Sequence, residues 1–176
     1  MQYKIRLVIF LLIGNFLFSD SIRYNNPNNH GVIGLINIPT ARFYEESSSA
    51  FTVYRGDPDR KITITMMPYD WLEASIFYTS IKGRPYGSGF NQDYKDKGFN
   101  AKFRLKDEGR FPAIAVGFND LAGTGIYSSE YIVGSYGIDN LDLHLGIGWG
   151  RLNGGQLQYN NPLADLDESF LTRCLS

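Results

Sequence analysis

The strict alternation of apolar and polar residues constrains the fold of this chain more than any other feature. In 99–105, FNAKFRL, apolar side chains occupy every second position, and Asn, Lys and Arg fill the positions between them. The stretch 140–150, NLDLHLGIGWG, repeats the pattern with Leu, Ile and Trp set against Asp, His and Gly. A period of two predicts β-strands with two unlike faces. The two faces of such a strand meet either core and water or lipid and lumen.

Further alternating stretches follow one another at short spacing and are separated by turn-forming residues. They are 50–55, 60–66, 71–79, 112–119 and 126–136, and the apolar run 31–37 before them predicts a first strand. The segment 82–93 is polar and glycine-rich, which predicts a long loop, and the alternation fades after residue 150. We therefore predict an all-β fold, an antiparallel β-meander of about eight strands that forms a complete or incomplete β-barrel of the outer-membrane type. A soluble sandwich is the alternative, since it also alternates.

The first 21 residues predict a signal peptide. Lys4 and Arg6 precede the apolar run 7–18, and we expect cleavage after Ser21. The run is shorter than the roughly 20 apolar residues that a membrane-spanning helix needs. The expected organisation is therefore a signal peptide at 1–21, a polar linker at 22–30, a barrel region at 31–152 and an irregular tail at 153–176.

Composition and spacing argue against several kinds of site. The formal net charge of −1 supplies no basic surface for nucleic acid, and the single cysteine, Cys174, predicts neither a disulfide framework nor a cysteine metal site. His30 and His144 are far apart in sequence and have no partners at metal-ligand spacing. Ser47–Ser49 lacks the motif of a nucleophilic serine. We expect no enzyme activity, no catalytic residue, no metal and no cofactor.

Charged residues on the polar faces are candidates for the lining of a lumen. They are Glu73, Lys102, Arg104, Glu130 and His144. In a barrel these side chains must point inward, because a basic residue facing hydrocarbon costs about 2–4 kcal/mol near the midplane, and an acidic one less. Ion pairs that brace the barrel are one role; a lumen that contacts glycan or conducts solutes is the other. We expect a lumen position to tolerate Lys102→Leu.

Aromatic residues near the predicted strand ends are candidates for the belts that mark the two membrane interfaces. They are Trp71, Tyr78, Tyr127, Tyr136 and Trp149. Trp and Tyr favour this position because one end of each ring is apolar and the other is polar.

Five blocks of the chain carry a family resemblance. They are GLINIPTARF at 34–43, WLEASIFYT at 71–79, YKDKGFNAKFRL at 94–105, GTGIYSSEYIVGS at 123–135 and GIGWGRL at 146–152. In this order they resemble the amino-terminal part of the YjbH family of Gram-negative outer-membrane β-barrel proteins, which are encoded with exopolysaccharide genes. The resemblance covers about residues 31–152. It implies a non-enzymatic role in exopolysaccharide production or export, with outer-membrane lipid, exopolysaccharide and other export components as partners.

This sequence differs from that family in two respects. Family members are much longer, and many begin as lipoproteins, whereas no cysteine here stands where a lipid would be attached. We expect a truncated family member. The alternative function is that of a soluble periplasmic or secreted β-sandwich that binds carbohydrate through Tyr86, Phe90 and Tyr94 around the long loop.

Overall fold

One curled antiparallel sheet of seven strands dominates the computed structural model, which describes residues 25–87, 92–153, 161–168 and 170. Each strand pairs with the next one along the chain, so the sheet is an uninterrupted meander. Its strands are β3 (Ser49–Arg55), β4 (Asp59–Tyr69), β5 (Leu72–Pro85), β6 (Asp93–Lys106), β7 (Ala113–Asn119), β8 (Ser129–Ile138) and β9 (Leu141–Gly148). The sheet forms an open half-barrel, which confirms the predicted all-β meander.

The two shortest connections, β4–β5 and β8–β9, lie at one end of the sheet. Tyr69 pairs directly with Leu72 across the β4–β5 turn, and only Asp139 and Asn140 separate β8 from β9. Asp139 has a φ of 50°, the left-handed conformation that tight hairpin turns require. The β8–β9 hairpin keeps one register throughout, whereas the β4–β5 pairing shifts by one residue between Met66 and Tyr69.

The two faces of the sheet differ in burial: polar side chains are mostly buried on one face, and apolar side chains are exposed on the other. On β4, Lys61, Thr63 and Thr65 are at most 4 % exposed. The residues that alternate with them, Ile62, Ile64 and Met66, are 45–49 % exposed. The same order holds on β5 and β6, whose polar positions point to the concave side. The concave, inner face is buried and is largely polar on β4, β5 and β6, and the convex, outer face is apolar and exposed.

The amino-terminal segment covers the inner face. Residues 25–48, which we call the strap, contain a small hairpin of β1 (Gly34–Leu35) and β2 (Ile38–Pro39). An apolar cluster joins the strap to the sheet through Ala41 and Phe43, which pack with Met67, Ala113, Ala115, Tyr131 and Val133. A second cluster contains Phe77, Ile81 and Tyr127. The core thus lies between the strap and the sheet.

The prediction of one strand at 31–37 is wrong. The chain reverses at Ile36 and Asn37, so that Gly34 pairs with Pro39. A Cβ on Gly34 would lie 2.3 Å from the carbonyl oxygen of Ile38, so the reversal needs glycine there. The sequence does not mark the reversal, because apolar residues stand on both sides of it, at Leu35–Ile36 and at Ile38.

The carboxyl-terminal part contains short 3-10 turns at Gly150–Asn153 and Pro162–Asp165. None of the helices in the described ranges has the length and apolarity needed to cross a membrane. The predicted signal peptide at 1–21, linker residues 22–24, Phe90, Cys174 and most of the predicted tail lie outside the described residues.

Candidate functional site

A buried ion pair lies at the centre of the inner face. Glu73 on β5 and Lys102 on β6 are register partners, so their side chains start directly opposite each other. The Lys102 Nζ atom lies 3.0 Å from Glu73 Oε2, and the two side chains are 1 % and 0 % exposed. The sequence analysis placed both on one face, and the sheet register brings them together.

This pair binds the strap through its backbone. The Lys102 ammonium donates to the carbonyl oxygens of Ile33, at 3.2 Å, and Arg42, at 2.8 Å. The Ile33 N–H in turn donates to Glu73 Oε1 at 3.1 Å. Two of the three ammonium protons therefore have backbone acceptors in the strap, and the charge itself is paired with the Glu73 carboxylate. The ion pair therefore holds the strap at two points that lie nine residues apart in sequence.

Hydroxyl groups from other strands hold further backbone atoms of the strap. Thr65 Oγ1 donates to the Gly31 carbonyl oxygen at 2.5 Å, and Ser135 Oγ accepts from the Ala41 N–H at 2.8 Å. Gly31 has a φ of 81°, and a Cβ there would lie 2.3 Å from Thr63 Cβ. The polar inner face is thus largely a binding surface for the strap.

A second charged group closes the end of the sheet with the short connections. The Arg42 guanidinium pairs with Asp142, at 3.0 Å from Nε to Oδ2, and with Glu108. Burial alone would lower the pKa of Arg42, but its hydrogen bonds and charge interactions with the two carboxylates raise that pKa above the ordinary value. A planar guanidinium held by two carboxylates has a defined orientation, so this contact sets where the strap enters β3.

Two other predicted lumen residues lie on the inner face but do not join the central pair. The Arg104 guanidinium lies 4.7 Å from the ring centre of Phe43 and pairs with Asp107 at 2.9 Å. The His144 Nδ1 atom lies 2.8 Å from Ser135 Oγ. Both side chains support the strap or the sheet edge beside it.

The placement of Glu130 with these lumen residues is wrong. Tyr131, Val133 and Ser135 on β8 are buried on the inner face, and Glu130 is one residue out of step with them. Its carboxylate is nevertheless buried, and the buried Asn161 side-chain amide donates to its Oε2 atom at 2.8 Å. The carboxyl-terminal residues cover this position, which the strand pattern alone cannot reveal.

The predicted interfacial aromatics differ in their exposure. Trp71 and Tyr78 are exposed on the outer face, and Trp71 stacks on Tyr69 with ring centres 5.4 Å apart. Tyr136 and Trp149 are half-buried.

Tyr127 is wrong as an interfacial residue, because it is buried at the inner face. The Asp120 carboxylate accepts the Tyr127 N–H at 3.2 Å, which folds this loop inward. The Tyr127 ring then packs edge-on against Phe77, with ring centres 6.0 Å apart, and the Lys61 Nζ atom lies 3.9 Å from its ring centre. Burial, followed by the charge of Asp59, raises the pKa of its hydroxyl.

Sequence reasoning missed the strap and its partners. Asn28 belongs to the predicted linker, yet it is buried, and its side-chain oxygen accepts the His30 N–H at 2.8 Å. The signal was the run of Asn and Pro, since Asn side chains stabilise turns by bonding to nearby backbone. Arg42, Glu108 and Asp142 gave no local signal because they meet only in the folded sheet. Within the described ranges, no three His, Cys, Asp or Glu side chains lie close enough to hold a metal ion.

Comparison with known proteins supplies the remaining findings on this site. The family model described as "Exopolysaccharide biosynthesis protein YbjH" matches residues 26–176, which include all but the first residue of the strap, the whole sheet and the central ion pair. The chain is 34 % identical over 151 residues to the "Uncharacterized lipoprotein YjbH" of Escherichia coli (strain K12). This match covers 83 % of the chain and 22 % of that relative, so the chain spans about a fifth of the relative's length. No solved structure matches the chain.

Proposed function

Because this chain belongs to the YjbH family, we propose that it acts, without catalysing a reaction, in exopolysaccharide production or export at the outer membrane of a Gram-negative bacterium. The family description supports the link to exopolysaccharide, and the name of the Escherichia coli relative, a lipoprotein, supports a location in the cell envelope. The residues themselves support the membrane part of the proposal.

The exposed apolar outer face is the observation that carries the membrane proposal. Its large side chains are 45–84 % exposed on β3, β4, β5, β6, β8 and β9. Examples on the first and last strands are Phe51, Val53, Leu143 and Leu145. A soluble monomer rarely exposes a continuous apolar patch of more than a few hundred Å². Contact with lipid would stabilise this face by about 25 cal/mol per Å² of apolar surface removed from water.

Four of the seven strands are long enough for this proposal. Membrane-spanning strands need about 9–11 residues, and β4 has 11 and β8 has 10, whereas β3, β7 and β9 have 7, 7 and 8. The longer β5 and β6, with 14 residues each, extend beyond the sheet on one side. Tyr69 and Trp71 lie together on the outer face at the end with short turns, as an interfacial belt requires.

The alternative of a soluble carbohydrate-binding sandwich has one feature in its favour. Tyr86 and Tyr94 lie 5.7 Å apart beside the long loop, and Arg84 lies 4.9 Å from the ring centre of Tyr94. A sandwich, however, needs a second sheet on the apolar face, and no strand among the described residues covers it. We therefore prefer the membrane proposal.

Fractionation of the native host tests the location. We expect the protein to sediment with the outer membrane and to resist extraction with urea or alkali. Recovery in the soluble periplasmic fraction would refute the membrane proposal and favour the sandwich.

A deletion strain tests the polysaccharide role separately. We expect deletion to reduce secreted polysaccharide, measured as total carbohydrate in the medium, and the wild-type gene to restore it. A deletion strain that secretes normally under conditions in which the gene is expressed would refute this part of the proposal.

A further inference from the structure

A polar cavity lies at the end of the sheet opposite the short turns. Its volume is about 420 Å³, within the range of about 300–1,000 Å³ that is typical of small-molecule sites. The lining comes from three parts of the chain that are distant in sequence: the strap with its β1–β2 turn, the segment from β3 to β4, and the turn after β9. The lining residues are Asn29, His30, Asn37, Ile38, Tyr54, Asp57, Pro58, Asp59, Lys61, Arg151 and Leu152.

The basic groups of the cavity are held in place. The Lys61 Nζ atom is buried, lies 3.1 Å from His30 Nδ1 and stands over the Tyr127 ring. The Arg151 guanidinium lies 4.5 Å from the centre of the same ring and 3.6 Å from an Asp59 oxygen. The two cations therefore share one aromatic ring, which helps to orient both, and Asp59 lies beside them as the anion paired with Arg151.

The charges of the lining balance. Lys61 and Arg151 are positive, and Asp57 and Asp59 are negative. His30 is neutral, because burial, assisted by the charges of Lys61 and Arg151, lowers its pKa to about 3. A balanced lining gives no net attraction for phosphate or for a carboxylated sugar.

The chemistry of the lining matches the hydroxyl groups of a sugar. Carboxylates accept from hydroxyls, an ammonium and a guanidinium donate to them, and the amides of Asn29 and Asn37 do both. Ile38, Pro58 and Leu152 provide an apolar wall for the C–H face of a ring. Asn37, Asp57 and Arg151 are exposed, so the cavity is accessible from solvent.

We propose that this cavity binds a neutral glycosyl unit of a polysaccharide chain. The proposal rests on the proposed function, since it names the part of the molecule that contacts the polymer. A neutral sugar satisfies the donors and acceptors of the lining and needs no net charge.

Binding of defined oligosaccharides tests the cavity. The probe is a set of oligosaccharides of about four to eight units, prepared from the polysaccharide that the native host secretes. Their affinity for the full chain in detergent is measured by titration calorimetry at low and high salt. We expect binding that changes less than twofold between the two salt concentrations, because no net charge is neutralised.

Matched variants separate the cavity from the rest of the surface. We expect Asp57→Asn and Arg151→Gln each to weaken binding at least tenfold. The controls Asp70→Asn and Arg110→Gln change exposed residues outside the cavity and should leave affinity unchanged. Circular dichroism melts check that all four variants remain folded.

Three results would overturn the proposal: no binding by the wild-type chain, equal binding by cavity and control variants, or affinity that falls steeply with salt as an acidic ligand requires. The amount of polysaccharide secreted by the complemented deletion strain is measured separately from the binding affinity. If the wild-type gene restores secretion and Asp57→Asn restores it equally well, the cavity proposal fails while the proposed function stands. If deletion itself leaves secretion unchanged, the proposed function fails.

Discussion

Replacing Lys102 by leucine tests how far the interior depends on one ion pair. From sequence alone this change is expected to be tolerated, but the structure leads us to expect that it destabilises the protein. The variant leaves the Glu73 carboxylate buried without its cation and removes the donor from the Ile33 and Arg42 carbonyl oxygens. Breaking a buried ion pair costs about 3–5 kcal/mol. We expect the upper end of this range, because two buried acceptors lose their donor as well.

Urea unfolding of the protein in detergent micelles, followed by circular dichroism, measures this cost. The matched control is the double variant Glu73→Gln with Lys102→Met, which removes both charges and keeps an acceptor for the Ile33 N–H. It should lose only about 2 kcal/mol, because no buried charge is left unpaired. Trypsin cleavage after Arg42, which is 9 % exposed, should appear in the single variant as the strap loosens.

Two results would refute this reasoning. One is a free energy of unfolding for Lys102→Leu that lies within about 0.5 kcal/mol of the wild type, the range of ordinary surface substitutions. The other is a double variant that is less stable than the single one. Either would mean that the pair does not hold the strap.

Three further predictions concern the outer face, pH and packing. Ile64→Arg should cost about 2–4 kcal/mol in a bilayer, whereas Leu166→Arg, exposed and outside the sheet, should assemble normally; equal heat-modifiability on gels would contradict the lipid-facing assignment. His30 has a pKa lowered to about 3, so the unfolded state binds the extra proton and stability falls as pH drops from about 6.5 towards 3. Between pH 6.5 and pH 5 the loss is about 2 kcal/mol, and urea titrations should show a smaller loss for His30→Gln. Gly117→Ala places its Cβ 2.1 Å from the ring of the cross-strand tyrosine and should cost about 1–3 kcal/mol; Gly134→Ala, with no atom nearer than 3.7 Å, is its control, and equal melting temperatures for the two variants would contradict the packing.

The polar interior is the unusual physical feature of this molecule. Threonine, serine, asparagine and charged side chains take the positions that a soluble sheet gives to its core. Buried polar groups are costly unless each finds a partner, and the strap supplies many of these partners from its backbone. Asn100, for example, donates to Ser75 at 2.8 Å and accepts the Asp120 N–H at 3.1 Å. Such a network favours one arrangement of the strap over others.

Strand positions followed closely from local pattern. The predicted strands at 50–55 and 60–66 correspond to β3 and β4, and the alternating stretch 99–105 lies within β6. Alternation determines these strands because side chains two residues apart share a face whatever the neighbours are. Alternation also correctly places Lys102 and Phe103 on opposite faces of β6.

Contacts between distant residues did not follow from local pattern. Arg42 meets Asp142 across 100 positions of sequence, and Glu130 is covered by Asn161. Tyr127 stands where a strand was predicted to begin, but the loop before β8 turns inward at Asp120. Each case depends on which segments the folded sheet brings together.

The sequence by itself determined the strands, their two unlike faces and the family resemblance, because periodicity and residue type are local properties. Only the tertiary structure decided that the polar face is the buried one. Alternation distinguishes the two faces of a strand but does not tell which of them faces the interior. That depends on the direction in which the paired strands curl as a sheet. The strap, with Lys102 and Glu73 holding its backbone, then fills the concave side and leaves the apolar face outward.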